Sequence, residues 1–180
     1  MLRERSGAAP VRGRAQREMR RVQEFSPREL RDALGRFVTG VTVVTTRAAT
    51  GPLGMTVNSF ASVSLDPPLV LWSPARKSSR FPAFEAAPYF AIHILSAGQR
   101  DLAEHFARLG DMPEGLPFEE GPDGIPLLPG AVARFECRHA AGHDGGDHLI
   151  VVGEVLRLVT SDLPPLLFDR GAFRELGQAG

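Results

Sequence analysis

The segment that most constrains the fold is residues 54–68, which reads Gly-Met-Thr-Val-Asn-Ser-Phe-Ala-Ser-Val-Ser-Leu-Asp-Pro-Pro. Apolar and short polar residues interleave along it, and this alternation predicts a half-buried β-strand that ends at Asp66-Pro67-Pro68. Its polar side chains are hydroxyls and an amide, without the long charged side chains of a solvated strand. Such groups suit close approach to a phosphate or a heteroaromatic edge. A Ser/Thr-rich edge strand of an ordinary barrel would show the same pattern, and the pattern alone does not choose between them.

The surrounding segments predict further strands and short helices. Strands are expected at 40–46, 69–72, 89–95, 131–138 and 149–159, with two short ones around a turn at Gly171, and helices at about 27–37, 81–86 and 96–108. Residues 49–52 turn the chain back, so 40–46 and the central segment should form a hairpin. The elements do not alternate as βαβ units. We therefore predict a mainly β fold, a six- or seven-stranded antiparallel split β-barrel with two or three short flanking helices.

Two capping boxes mark helix starts. Ser26-Pro27-Arg28-Glu29 has Ser at the N-cap, Pro at the first helical position and Glu at the third. Apolar residues then recur at helical spacing, so we expect this helix to lie against a sheet as a lid. Ser96 and Gln99 form the second box, and residues 110–130 beyond its helix are rich in Gly and Pro, as in a long functional or interface loop.

Length and composition indicate one domain. The chain has 180 residues, and we place its folded domain at 25–177. Residues 1–24 are Arg-rich and poor in large apolar side chains. We interpret them as a disordered basic leader rather than a nucleic-acid or targeting arm.

Charge and cysteine content restrict the partners. The formal net charge is zero and no apolar run approaches the roughly 20 residues of a membrane span, so neither nucleic acid nor a membrane is expected as a partner. Cys137 is the single cysteine, which excludes an internal disulfide and a cysteine-based zinc cluster. A reducing, cytoplasmic location is the expectation.

The segment Ser73-Pro74-Ala75-Arg76-Lys77-Ser78-Ser79-Arg80 is a polar loop before a short helix. Serines and three cations at a helix start make a plausible phosphate cradle. A solvated loop with a capping serine has the same composition, and from the residues alone it is the favoured interpretation.

The histidines divide by position. His139, His143, Asp144, Asp147 and His148 cluster within ten residues, but their spacing fits no helical pair and a Gly-Gly turn separates them, so we expect no metal site. His143 should lie exposed in a loop, whereas His148 begins a strand and is the candidate functional histidine. His93 should lie hydrogen-bonded within the sheet. No dinucleotide-binding Gly-x-Gly-x-x-Gly, phosphate-binding P-loop or hydrolase elbow is present.

Three motifs then carry a resemblance. They are Gly54–Val70, Gly146-Asp147-His148 with Val151–Val155, and Pro165–Phe173. In this order, over roughly residues 26–176, they resemble the short-chain flavin reductases, the small NAD(P)H:flavin oxidoreductase components of two-component monooxygenases. The resemblance implies a split-barrel flavin-binding fold, usually a homodimer with flavin near the subunit interface. Phe173 stands where many relatives have Tyr, and the basic leader has no counterpart in the usual pattern.

The resemblance also assigns residues. The implied flavin-binding set is Gly54, Met55, Thr56, Val57, Asn58, Ser59, Ser73, Pro74, Ala75, Ser79, Arg80, His105 and Phe106. Within it, Ser79 and Arg80 are the expected phosphate contacts. His148, Arg170 and Phe173 correspond to the side where the nicotinamide docks, with His148 as the catalytic residue that orients it or stabilises reduced flavin.

The implied activity is reduction of FMN or FAD by NADH or NADPH, with reduced flavin passing to a separate oxygenase. Because the cofactors carry the hydride chemistry, no catalytic triad is expected. The alternatives are a flavin- or haem-binding split barrel without turnover, and a homodimeric barrel without a ligand. The sequence leaves the choice of flavin and of nicotinamide nucleotide open.

Overall fold

The structure is a computed structural model in which residues 25–177 are described. The expected leader, residues 1–24, lies outside them. The chain divides into two compact units, Met1–Leu34 and Gly35–Gly180.

In the first unit, helix α1 spans Pro27–Leu34. Its capping box is confirmed: the Glu29 backbone N–H donates to Ser26 Oγ at 3.2 Å, and the Ser26 N–H donates to Glu29 Oε2 at 2.8 Å. No residue of α1 is buried, and its expected position as a lid on the sheet stays a prediction. Leu30 and Leu34 are 43% and 66% exposed.

The described part of the second unit, residues 35–177, contains twelve strands and two helices. The strands are β1 (Thr39–Gly40), β2 (Thr42–Ala48), β3 (Gly51–Val57), β4 (Ala61–Leu65), β5 (Pro68–Trp72), β6 (Tyr89–Ile94), β7 (Glu119–Glu120), β8 (Pro126–Leu127), β9 (Ala133–Gly145), β10 (His148–Thr160), β11 (Leu166–Asp169) and β12 (Ala172–Glu175). Helices α2 (Phe81–Ala86) and α3 (Arg100–Arg108) are supplemented by 3₁₀ turns at Ala97–Gln99 and Pro122–Gly124. The second capping box, at Ser96 and Gln99, is confirmed.

All described sheets are antiparallel, which confirms the mainly β fold class. The main sheet has seven strands, a number within the six or seven predicted for the barrel. Their order is β3-β2-β6-β9-β10-β5-β4. Two small sheets, β1-β11-β12 and β7-β8, raise the strand total above the expected six or seven.

The central segment is not one strand, as the sequence predicted, but two. Asn58-Ser59-Phe60 breaks it into β3 and β4, which lie at opposite edges of the main sheet. Three connecting residues span at most roughly 14 Å, so the sheet must curl until its edges approach one another. Within the described strands those two edges do not pair, and the gap between them is the split of the barrel.

The predicted loop between the two long strands is also wrong. Residues 139–145 continue β9, and only Gly146-Asp147 separates it from β10. Gly146 has φ 74°, the conformation that a two-residue hairpin turn needs at its first position. His143 therefore lies on a strand, although it is exposed as expected.

Two apolar clusters hold these elements together. The first fills the barrel interior around Trp72, Phe84 and Phe90. The second joins α3 and β11 to β2 through Val43, Phe106 and Leu166. Helix α3 is therefore fixed beside the β3 edge by burial of its own apolar face.

His93 is buried within the sheet and satisfied on both ring nitrogens, as predicted. Nδ1–H donates to the Val43 carbonyl at 3.1 Å, and Nε2 accepts from the Leu128 N–H at 3.0 Å. A proton on Nε2 would remove the second bond and place a charge in the interior. Burial first, and then the nearby Arg134 charge, lower the pKa of His93 to about 4, although its bond to Val43 acts in the opposite direction.

This lowered pKa predicts an acid-labile fold. Above pH 6.5 the ring is neutral in both states, whereas between pH 6.5 and 4 only the unfolded chain binds the proton, so the free energy of unfolding falls with pH. Relative to pH 7.5, roughly 2.5 kcal/mol of it should be lost at pH 4.5 through this group. Urea unfolding of wild type and His93→Gln should show this difference in pH dependence. His143→Gln, at an exposed histidine, should keep the wild-type pH dependence. If the free energy of unfolding changed equally with pH in all three proteins, the prediction would be contradicted.

Candidate functional site

The ring pocket, as we name it, is a cavity of about 190 Å³ where the β3 edge meets α3 and the β11–β12 hairpin. It is lined by Val41, Thr56, Val57, Asn58, Ala107, Phe168 and Phe173. Of the predicted residues, it brings Thr56, Val57, Asn58 and Phe173 together. Thr56 to Ser59 are neither sealed in the interior nor remote from a groove.

The walls of the ring pocket are mostly apolar, with polar groups at one side. The Phe168 and Phe173 rings meet edge to face, with centroids 5.6 Å apart. Thr56 Oγ1 donates to the Ala103 carbonyl at 2.7 Å, which ties β3 to α3. Asn58 is exposed, and its amide makes no side-chain hydrogen bond within residues 25–177. Apolar walls with a free amide at the margin fit a flat heteroaromatic ring.

The outer edge of β3 adds backbone donors. The Gly54 N–H points away from β2 and donates to the Gly110 carbonyl at 2.8 Å. Since strand N–H groups two residues apart point the same way, the Thr56 N–H also lies on this outer edge. The same edge borders the ring pocket at Thr56.

Three predicted cofactor residues lie beneath the ring pocket rather than on its surface. Phe106 is 0% exposed and packs its ring directly on Gly54, where a Cβ would stand 2.5 Å from Phe106 Cδ1. Met55 belongs to the barrel core. Gly54 is thus required for the close approach of α3 to β3.

Arg80 links the same two elements, β3 and α3, through its side chain. Its Nη1 donates to the carbonyls of Gly54 at 3.0 Å, Phe106 at 2.7 Å and Leu109 at 2.8 Å. The last two lie at the C-terminal end of α3, where carbonyls lack helical partners and attract cations. Burial lowers the pKa of Arg80. Its expected role as a phosphate contact stays a prediction, but one nitrogen is already engaged with the backbone.

The first half of the Ser-rich loop is anchored to other parts of the site. The Ser73 N–H donates to Ser59 Oγ at 2.9 Å. The Arg76 N–H donates to the Asp147 carbonyl at 2.9 Å, and the Leu149 N–H to the Pro74 carbonyl at 3.1 Å. Ala75 lies opposite His148 in an isolated bridge, and Ser79 is exposed. These contacts bring the loop and His148 together.

His148 has a defined ring orientation. Its Nδ1–H donates to Asp147 Oδ1 at 2.7 Å, and this hydrogen bond lowers the pKa of the Asp147 carboxyl. Nε2 makes no hydrogen bond within the described chain and is free to meet a ligand. His105 is oriented differently, since its Nε2–H donates to the Asp111 carbonyl at 2.8 Å.

A family model matches most of the chain. The family model described as "Flavin reductase like domain" matches residues 34–177. The chain belongs to this family.

Named relatives span most of the chain. It is 61% identical over 146 residues to "FMN reductase (NADH) SmoA" of Agrobacterium fabrum, covering 81% of this chain and 84% of the relative. It is 38% identical to the reductase subunit HsaB of a flavin-dependent monooxygenase from Mycobacterium tuberculosis, covering 83% of this chain and 82% of that one.

Solved structures in the family have the same fold. "Flavin reductase PheA2 in native state" superposes with a TM-score of 0.79 at 37% identity, over 86% of this chain and 100% of that one. The NADH:FAD oxidoreductase SgcE6 of Streptomyces globisporus, solved with NAD and FAD fragments, gives 0.78 at 38% identity, over 88% and 99%.

Within this flavin reductase-like domain, two groups of predicted residues can be distinguished beside the buried set of Gly54, Met55 and Phe106. Thr56, Val57, Asn58 and Phe173 line the ring pocket, while His148 and Ser73–Arg80 form a second group joined to the first by the Ser59–Ser73 hydrogen bond. Arg170 lines neither; it is exposed at the β11–β12 turn with φ 47°, and its Nε lies 3.7 Å from Asp169.

Sequence reasoning missed three lining residues. Val41 lies in a β-branched run that resembled pure core, Ala107 is a small residue after a helical aromatic, and Phe168 lies in a short terminal strand. Only their positions in the folded structure identify these three residues as part of the ring pocket.

The described residues, 25–177, contain neither a metal-binding cluster nor a membrane-spanning helix. No three His, Cys, Asp or Glu side chains converge there in a way that could hold a metal ion. None of the described helices combines the length and the apolar character needed to cross a membrane.

The Gly54–Phe106 contact predicts a costly glycine substitution. Gly54→Ala would force the buried Phe106 ring away from β3, and overpacking of this kind lowers the free energy of unfolding by about 1–3 kcal/mol. Denaturant titration should measure this loss. Gly40→Ala, where a Cβ meets nothing within 4 Å, is the matched control. Combining Gly54→Ala with Phe106→Leu should give less than the sum of the single losses; strict additivity would show that the two residues are not in conflict.

Proposed function

We propose that the protein catalyses the reduction of FMN or FAD by NADH, and that the ring pocket holds the flavin ring system. The observation that supports this proposal is an apolar pocket, bordered by Thr56 and Asn58, that lies within the flavin reductase-like domain. The relative SmoA is named an NADH-dependent FMN reductase, which favours NADH as the donor.

The residues present fit this ligand. Val41, Phe168 and Phe173 offer apolar faces that exclude water, the Asn58 amide can both donate to and accept from a heterocycle edge, and the Thr56 N–H supplies a fixed backbone donor. A bound flavin supplies the chemistry of accepting a hydride from the nicotinamide. The chain itself positions the rings and places donors where negative charge gathers.

The Ser-rich loop is the proposed phosphate site. Ser79 is exposed, Ser73, Pro74 and Ala75 are fixed by Ser59 and the start of β10, and Arg80 is the last residue of the loop. The exposed cation Lys77 lies in the same loop. Hydroxyls and cations on an anchored backbone suit a phosphate group.

His148 is the proposed catalytic residue on the nicotinamide side. Because Asp147 holds the Nδ1–H, the neutral ring presents Nε2 as an acceptor. An amide N–H of the nicotinamide carboxamide is a suitable donor to it. His148 would then orient the hydride donor rather than transfer a proton. Arg170 and Phe173 remain the other proposed residues of this side.

We further propose a cytoplasmic homodimer, with residues 25–177 as its functional domain, which passes reduced flavin to a separate oxygenase. The relative HsaB is named as a reductase subunit of a monooxygenase, which supports the oxygenase partner. Exposed apolar side chains near the end of β10, Leu156, Leu158 and Val159, support self-association.

The single cysteine, Cys137, is buried, and burial together with Glu136 raises its pKa to about 12, consistent with an unreactive thiol in a reducing compartment.

A crossed steady-state assay tests the function. FMN and FAD are each combined with NADH and NADPH, and oxidation of the nucleotide is followed by absorbance. We expect turnover with NADH and at least one flavin. Binding of flavin or haem without any nucleotide oxidation would instead support the non-catalytic split barrel.

Replacement of His148 tests its role in this reaction. His148→Ala should raise the KM for NADH about 3- to 10-fold, the value of one hydrogen bond, while the Kd for flavin changes less than twofold. His143→Ala, an exposed histidine on the neighbouring strand, is the matched control and should behave as wild type. A larger change in flavin affinity than in the KM for NADH would assign His148 to the flavin instead.

Light scattering after gel filtration tests the dimer. Wild type should have twice the chain mass, and Leu158→Glu should shift it toward monomer, because burying a leucine contributes about 1.5–3 kcal/mol and burying an unpaired carboxylate opposes it. Leu65→Glu makes the same change at an exposed residue of β4 and should leave the mass unchanged. A monomeric wild-type protein would overturn the homodimer.

A further inference from the structure

Beside the ring pocket lies a larger cavity, which we name the arginine groove. It has a volume of about 490 Å³ and runs between α3 and the β11–β12 hairpin. It shares Ala107 and Phe173 with the ring pocket, so the two are continuous around the Phe173 ring. The flavin and nicotinamide residues discussed above, apart from Phe173, do not line it.

The charges in the arginine groove are unbalanced. Arg100, Arg108 and Arg174 line it against the single carboxylate of Glu104, a local charge of +2 (three minus one) in a chain whose formal net charge is zero. Glu104 is already bound to Arg100 Nε at 3.0 Å. Arg108 and Arg174 form no ion pair within residues 25–177. Two unneutralised guanidinium groups on one cavity are typical of an anion site.

The Arg108 side chain is not needed to cap the C-terminal end of α3. It is the last residue of α3, where a cation ordinarily stabilises the free carbonyls. Arg80 already binds the carbonyls of Phe106 and Leu109, and the Leu109 N–H binds that of His105. The Arg108 guanidinium is therefore available to the groove. Arg100, for its part, lies over the Phe173 ring with its Cζ 5.8 Å from the centroid.

From this continuity and charge we propose that the arginine groove binds the diphosphate of a dinucleotide whose flat ring lies in the ring pocket or stacks on the ring held there, with Arg108 and Arg174 as the phosphate contacts. The inference rests on the proposed function, since that function supplies the ring. The ring pocket alone is smaller than the roughly 300 Å³ at which ligand pockets begin, and the adjoining groove supplies the missing volume. Two sources are candidates: NADH, whose nicotinamide must stack on the flavin ring, and FAD, whose diphosphate would then lie in the groove instead of at the Ser-rich loop.

Matched charge variants test the groove. Arg108→Gln and Arg174→Gln remove charge while keeping polarity, and the corresponding Lys variants keep one charge without the planar fork. Arg138→Gln, an exposed arginine on β9 that lines neither cavity, is the control. The measurements are the KM for NADH and for reduced nicotinamide mononucleotide, which lacks the diphosphate, and calorimetric Kd values for FAD, FMN and ADP-ribose.

If NADH is the source, each Gln variant should raise its KM about 5- to 10-fold, with kcat within twofold and FAD affinity unchanged. If FAD is the source, its Kd should rise by that factor while the KM for NADH stays constant. In either case the Lys variants should recover part of the loss, and FMN and the mononucleotide should change less than threefold. Raising the salt concentration should weaken binding to wild type more than to the double Gln variant.

Unchanged values for NADH, FAD and ADP-ribose in the double variant would overturn the proposal. So would an equal loss for FMN and FAD together with an equal loss for the two nicotinamide nucleotides, since the diphosphate would then play no part. Titration with ADP-ribose involves no turnover. Arginine-dependent ADP-ribose binding by a wild-type protein that reduces no flavin would therefore retain the anion site while refuting the proposed function.

Discussion

The contact between the Phe106 ring and the backbone of Gly54 determines where everything else in the site lies. It allows α3 to approach the β3 edge without an intervening side chain, and the Arg80 guanidinium fastens the same two elements by binding a carbonyl of β3 and two at the end of α3. Ala107 follows Phe106 directly, and Thr56 lies two residues beyond Gly54. Both therefore reach the ring pocket as a consequence of this contact.

The second constraint is the closure of the sheet. β3 and β4 are consecutive in the chain but lie at opposite edges of seven strands, so the residues between them must sit at the split. Asn58 is exposed there with its amide free, and Ser59 reaches across to the Ser-rich loop. An unpaired edge leaves backbone N–H groups without partners, which is ordinarily a liability for a soluble sheet. At this split the Gly54 N–H is paired with the Gly110 carbonyl, and the Thr56 N–H on the same edge is the donor proposed to meet a ligand.

The sequence predicted the elements well because most of their signals are local. Capping at Ser96, the β-branched run after Gly40 and the apolar strand around Ile92 all appear where expected. The break at Asn58 could not be found, because small residues keep alternating through it and nothing local marks a change of sheet edge. The Gly- and His-rich segment before Asp147 resembled a loop, yet its pairing with β10 across a two-residue turn makes it a strand. The motif resemblance indicated Thr56 to Asn58 and Phe173, which share the ring pocket, whereas Val41 and Phe168 join them there only through tertiary packing.

The strongest pKa shifts lie away from the site, which bears on how the site works. His93 and Cys137 are shifted mainly because they are buried, and neither lines the ring pocket. Strong perturbation often marks a catalytic acid or base, but desolvation in a core produces it equally. The titratable group proposed to act, His148, is partly exposed and held by Asp147 in one orientation. Hydride transfer between two bound rings needs alignment rather than a side chain with a tuned pKa, so a fold can perform it with fixed backbone donors, apolar walls and an oriented histidine.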